Sequence, residues 1–140
     1  MNIHPKKVYF RASNYSSKIG GTTAFIREGL RYSIYDLLIG LMLPSGNDAA
    51  LTLAENFGRF LNLESCRNST LKLKEEVEKD PYDQESSRTA IKRFVKRMNL
   101  EASKLKLSNT SFSNPHGLSD KANRSSAQDV IRLTIEAMKF

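Results

Sequence analysis

The sequence is poor in the residues from which redox and metal chemistry is built. It holds one cysteine, Cys66, two histidines, His4 and His116, and no tryptophan among 140 residues. A single cysteine excludes an internal disulfide framework and a CxxC metal or redox centre, leaving Cys66 as a free thiol in a variable segment. The two histidines are widely spaced and form no ligand cluster, so neither a metal nor a cofactor is expected. No apolar run approaches the ~20 residues needed to cross a bilayer, so no transmembrane segment is expected. Residues 1–7 also lack the apolar stretch of a secretory leader, and an exported protein is expected to carry its leader upstream of them.

What is present is ordinary for a globular chain: 39% hydrophobic and 26% charged residues, enough for one core and too few for two. The formal charge of +7 is unevenly spread. Residues 63–86 hold seven Asp/Glu against four Lys/Arg, whereas residues 87–140 hold eleven Lys/Arg against four Asp/Glu. The basic excess falls on one predicted helix, whose outer face carries Arg88, Lys92, Arg93, Lys96, Arg97 and Lys104. No exposed aromatics interleave with these cations and no binding motif accompanies them. A solvated face is therefore the simpler reading, and nucleic acid is not an expected partner.

The pattern of apolar residues predicts a mainly helical chain with one clear strand. Val8-Tyr9-Phe10 reads as a brief strand, followed by a polar stretch from Ser13 to Thr23 with a loop at Gly20-Gly21. Ser33 is an N-cap with Asp36 placed to return the bond and Tyr32 placed to staple against Leu37. The helix it opens is apolar on nearly all faces up to Leu43, which predicts burial, and Pro44 ends it. A second helix starts after Asn47, with Ala50, Leu53, Ala54, Phe57 and Leu61 on one stripe. Residues 62–86 read as an insertion or long loop, with a short helix possible around 71–77. A third helix is predicted from about Ser87 to Leu107, burying Ile91, Phe94, Val95, Met98, Ala102 and Leu105. A last one begins at Ser125 or Ser126 and groups Val130, Ile131, Thr134, Ile135 and Met138. Four Asn-x-Ser/Thr sequences, at Asn14, Asn68, Asn109 and Asn123, read as coincidence in a chain rich in both residue types.

The feature that carries chemistry is Leu43-Pro44-Ser45-Gly46-Asn47-Asp48-Ala49-Ala50. It sets a hydroxyl and a side-chain amide two residues apart in a tight turn between two packed helices, where both could face a cleft. The same residues could instead serve only as caps for free backbone N–H groups. Local physics leaves both readings open.

Two stretches, Gly21 to Gly29 and Tyr32 to Ala50, followed by Phe94-Val95, Met98-Asn99 and Asn114-Pro115-His116-Gly117-Leu118, resemble the D-alanyl-D-alanine carboxypeptidase family of low-molecular-mass penicillin-binding proteins. The resemblance runs from about residue 20 to the C-terminus, apart from 62–86. It implies that this chain is the mainly α part of an α/β, β-lactamase-like DD-peptidase fold whose sheet is largely missing. That family assembles its site from an SxxK serine nucleophile and base, an S-x-N turn and a KTG strand. Ser45 and Asn47 match the S-x-N pair: the resemblance implies that Ser45 relays a proton toward the leaving amine and Asn47 orients substrate and lysine. It further implies a peptidoglycan stem peptide or related D-amino-acid peptide as substrate, β-lactams as ligands of the complete site, and an extracellular or periplasmic location. His116 invites a general-base reading, but its loop is structural in the resembling family.

The pattern is incomplete. No SxxK precedes Ser45; Ser69-Thr70-Leu71-Lys72 and Ser103-Lys104-Leu105-Lys106 have the spacing but follow it, and KTG occurs nowhere. A nucleophile must reach its base by hydrogen bond, so the second element cannot replace the first. The expectation is a serine peptidase-like chain inactive by itself; a non-catalytic peptide-binding module or a truncated product is the alternative. Helices that lack their sheet leave apolar surface exposed at about 25 cal/mol per Å², so the isolated chain is expected to be marginal or aggregation-prone. Thermal unfolding of the purified chain checks this: a sharp cooperative transition would contradict it.

Overall fold

A computed structural model describes residues 4–65 and 84–139. The possible helix around 71–77, Cys66, Asn68 and the Ser69–Lys72 spacing lie outside the described residues.

The chain opens with a strand, β1 (Tyr9–Arg11), that pairs antiparallel with β2 (Arg31–Ser33) in the register Tyr9↔Ser33, Phe10↔Tyr32 and Arg11↔Arg31. The second strand escapes the sequence pattern because three residues offer too short an alternation to detect. Between the strands lies a one-turn helix, α1 (Asn14–Ser17), where a polar loop is expected. Its Ser13 N-cap and Ser16 form a reciprocal capping box, which orders the turn despite its polar composition.

Helix α2 (Ile34–Met42) starts where Ser33 predicts, with the Ser33 hydroxyl accepting from the Asp36 N–H at 3.0 Å. Asp36 does not return a bond to the backbone; its carboxylate accepts from the Ser33 hydroxyl instead, at 2.6 Å. The expectation that this helix is buried all round is corrected. Ile34 and Leu37 are buried, but Leu38, Ile39, Met42 and Leu43 are exposed, Met42 to 75% and Leu43 to 81%. One face meets β2 and the next helix; among the described residues nothing covers the other.

Helix α3 (Asn47–Ser65) is the centre of the molecule. Every residue from Asp48 to Glu55 is buried. On one side Ala49 and Leu53 join Ala12, Ile26, Ile34 and Leu37 in the core, bordered by Val8, Phe10, Tyr32 and Phe57. Phe57 meets Phe10 edge-on with centroids 4.9 Å apart and stacks on Phe94 at 6.2 Å.

Helix α4 (Gln84–Lys104) packs along α3. It ends three residues before the expected Leu107, and Lys106 lies beyond it at φ 57. The apolar stripe of Ile91, Phe94, Val95 and Met98 is only half-buried, whereas Ser87, Ala90 and Ala102 are fully buried. Small residues carry the closest contact because the backbones meet there: a Cβ on Gly58 would stand 1.9 Å from the Ala90 carbonyl oxygen. Helix α5 (Ala127–Ala137), capped by Ser126, buries Asp129 but leaves Val130, Ile131, Ile135 and Met138 exposed, Met138 to 83%. The bare faces of α2 and α5 are thus specific surfaces around a core already closed on α3.

The Gly58 contact sets a stability test. Gly58→Ala drives a methyl group into the α4 backbone, which cannot step aside as a flexible side chain would. A loss of about 1–3 kcal/mol is expected from urea unfolding of variant and parent; an unchanged midpoint would refute the close crossing.

Candidate active site

The turn between α2 and α3 is held by an unusual exchange of partners. Pro44 has no N–H to give the Gly40 carbonyl, and the Gly46 N–H takes its place at 3.0 Å. Leu43, the residue before proline, keeps helical angles, so the break falls two residues later. Ser45 stands in the left-handed region at φ 55, a conformation that costs a non-glycine residue about 1–3 kcal/mol and persists only where its surroundings enforce it.

Those surroundings come from residues 20–26. The Thr22 hydroxyl donates to the Ser45 carbonyl at 2.5 Å, and the Asn47 N–H donates to the Thr22 carbonyl at 2.8 Å. Gly46 has to be glycine because a Cβ there would stand 2.7 Å from the Ala24 Cβ and 2.8 Å from the Ala24 nitrogen. The Ser45 side chain is exposed, and its hydroxyl has no hydrogen-bond partner among the described residues. Asn47, the first helical residue rather than the cap before it, is buried. Its Nδ2 donates to the Gly20 carbonyl at 2.9 Å. Gly21, at φ 91, leaves room for that amide, since a Cβ there would meet Asn47 Nδ2 at 2.3 Å. Neither side chain caps a helix: Ser45 is presented outward and Asn47 is aimed across at the facing loop.

Asp48 anchors the whole turn. It is 1% exposed, and its carboxylate accepts from the Thr23 hydroxyl at 2.6 Å and from the backbone N–H groups of Ala24, Ile26 and Ala49 at 2.9, 3.0 and 2.8 Å. Burial pushes this carboxyl up; the bonds from Ala24, Thr23, Ile26 and Ala49 together outweigh burial and hold it below its ordinary 3.8. Neither Asp48 nor Thr22 stands out in the sequence as a residue that holds the turn. The available signal was a carboxylate in the first turn of an otherwise apolar segment, where burial demands donors.

The 114–118 loop borders the same place. A Cβ on Gly21 would lie 3.3 Å from Leu118 Cδ2, which seats this loop against the loop that faces Asn47. His116 is half-buried, its Nδ1 accepts from the Leu118 N–H at 3.2 Å, and burial lowers its pKa. That bond shapes the turn, as does the Asn114 side chain, which accepts from the Gly117 N–H at 2.8 Å. Ser103 is exposed at the end of α4, and Lys106 has left the helix, so the pair does not share a helical face. Among the described residues no group of His, Cys, Asp and Glu converges to hold a metal, and no helix is long and apolar enough to cross a membrane.

The depressed Asp48 pKa gives a signed prediction. Its stabilisation is complete above the ordinary carboxylate value and is lost as pH falls through the lower folded value. Asp48→Asn should cost about 1–3 kcal/mol at neutral pH. The gap between variant and parent should narrow below pH 3.8, read as urea midpoints; a gap that stays constant would contradict an ionised anchor.

Comparison with known proteins follows the same outline. A family model described as D-alanyl-D-alanine carboxypeptidase matches residues 87–140, a span that leaves out the Ser45–Asn47 turn. The chain is 30% identical over 130 residues to D-alanyl-D-alanine carboxypeptidase DacF of Bacillus subtilis, covering 93% of this chain and 26% of that protein. It is 29% identical over 140 residues to a D-alanyl-D-alanine carboxypeptidase of Streptomyces sp. K15, covering 99% of this chain and 40% of that protein. The crystal structure of the Streptomyces K15 DD-transpeptidase matches with a TM-score of 0.74 at 27% identity, over 99% of this chain and 45% of that one. The chain therefore spans less than half the length of each of these relatives.

Proposed function

This chain carries part of a D-alanyl-D-alanine carboxypeptidase domain, and from that premise we propose that Ser45 and Asn47 are the second of three elements of a serine DD-peptidase site. Among the described residues its fold is the mainly helical part of a DD-peptidase, with one two-stranded sheet. The substrate of the complete site is a peptidoglycan stem peptide ending in D-alanyl-D-alanine, and β-lactams acylate the same nucleophile. The nucleophilic serine and its lysine come from polypeptide outside residues 1–140.

In this reading the nucleophile adds to the carbonyl carbon of the penultimate D-alanine. The C–N bond then breaks, D-alanine leaves as the amine after receiving a proton, and water hydrolyses the remaining ester. Ser45 passes the proton toward the departing nitrogen; Asn47 holds the substrate amide and the base in line. One observation supports these roles most directly. Ser45 is held with its hydroxyl outward in a turn that costs energy to maintain, while Asn47 is locked beside it from the Gly20 side. A turn whose side chains only capped α3 would need neither feature. The uncovered faces of α2 and α5 fit a site completed by further polypeptide. The lack of KTG, and of SxxK before Ser45, keeps a peptide-binding module without cleavage as the second reading.

Labelling with a fluorescent penicillin, followed by mass spectrometry of any adduct, tests the proposal. The 140-residue chain should give no adduct, and a chain extended with its adjoining coding sequence should give one, on a serine outside residues 1–140. An adduct on Ser45 or Ser103 in the short chain would overturn the assignment of the nucleophile. No adduct on the extended chain would favour the non-cleaving module.

A further inference from the structure

The side chain of Glu55 is fully buried, two turns along α3 from Asp48 and well away from the Ser45 turn. One carboxylate oxygen accepts from the Ser13 hydroxyl at 2.5 Å; the other accepts from the Ser87 hydroxyl at 2.8 Å and from Arg59 at 2.7 Å. Arg59 also donates to the hydroxyls of Ser86 and Ser87, at 2.7 and 3.3 Å. One carboxylate thus ties α1, α3 and α4 together. A buried carboxylate is costly unless its partners are complete, and hydrophobic residues would join the three helices at less risk. Its presence calls for a reason beyond packing.

That reason lies in where α1 leads. Ser13 is the N-cap of α1, and its single hydroxyl proton goes to Glu55 while its oxygen accepts from the Ser16 N–H at 3.0 Å. The Ser16 hydroxyl in turn is hydrogen-bonded to the Thr52 hydroxyl at 3.0 Å, and Thr52 reaches the Asp48 carbonyl at 2.8 Å. Glu55 and Thr52 therefore clamp α1 onto α3 at two points. The chain leaves α1 at Ser17, and its next fixed point is Gly20, whose carbonyl receives the Asn47 side-chain amide. Asn47 belongs to α3, and its acceptor belongs to the segment that Glu55 fixes to α3.

We propose that Glu55 is a positioning residue for Asn47: by seating α1 on α3 it sets the Gly20 carbonyl that orients the Asn47 amide. Its catalytic meaning rests on the reading of Asn47 given above, but the geometric claim stands or falls independently of it.

The test is nuclear magnetic resonance of the chain extended with its adjoining coding sequence, following the side-chain amide signals of Asn47 and of Asn99. Asn99 serves as the internal control, because it bridges Val95 and Phe112, outside the Glu55 cluster. Glu55→Gln replaces one acceptor oxygen with a donor group facing Ser13 or Arg59. It should shift the Asn47 amide pair and leave that of Asn99 in place. Ser16→Ala, which removes the Thr52 contact and the Ser16 half of the α1 capping box but leaves Glu55 and Ser13 in place, should produce a smaller shift of the same signals, and it decides the matter if Glu55→Gln does not fold. An unmoved Asn47 pair despite a lower melting temperature would reduce Glu55 to a core residue and overturn the proposal. Equal movement of both Asn47 and Asn99 would overturn it as well, since that is general loosening. Penicillin labelling reads the other claim: its failure would leave the amide shifts unchanged.

Discussion

The structure depends on a carboxylate that takes no direct part in the proposed chemistry. Asp48 gathers three backbone N–H groups and a hydroxyl at the start of α3. Without it the buried Ile26 N–H and the half-buried Ala24 N–H would lose their acceptor, and the 22–26 segment is the wall against which Ser45 and Asn47 are held. A charge buried this fully survives only when its bonds are complete, so the loop and the helix start are fixed together or not at all.

The same logic repeats along the helix. Asp48 and Glu55 sit on α3 two turns apart, and each draws in a different part of the N-terminal segment: Asp48 the 22–26 loop, Glu55 the start of α1. Apolar burial supplies the bulk of the cohesion, through Leu37, Leu53 and the Phe10–Phe57–Phe94 run. It is non-directional, however, and cannot fix a carbonyl to within hydrogen-bond tolerance of an amide. The buried polar groups provide that direction.

Close backbone approaches complete the design. Gly46 lets Ala24 press on the site turn, Gly21 admits the Asn47 amide, and Gly58 lets α4 lie against α3. In each case the neighbour is rigid, so the small side chain sets the geometry. The outer faces of α2 and α5 are the opposite case. Their large apolar residues stand in solvent, and the chain spans less than half of the relatives it matches. A DD-peptidase fold represented by its helical part exposes such faces.

The four longer helices, the Ser33 cap, a last cap at Ser125 or Ser126 and an end of α2 near Pro44 could all be read from neighbouring residues or from a 3.6-residue period, and the same reading singled out the Ser45–Asn47 turn. The resemblance to D-alanyl-D-alanine carboxypeptidases was legible for the same reason, as ordered blocks of local motif. The pairing of β2 with β1, the one-turn helix α1, the bare face of α2, and the burial of Ser87 and Ala90 on α4 ahead of its larger apolar residues emerged with the folded chain. It alone showed that Asn47 answers to Gly20 and that Asp48 and Glu55 hold the loop and helix around it. These are contacts between residues 24 to 42 positions apart, and nothing local in the sequence reports which donor a buried carboxylate will meet.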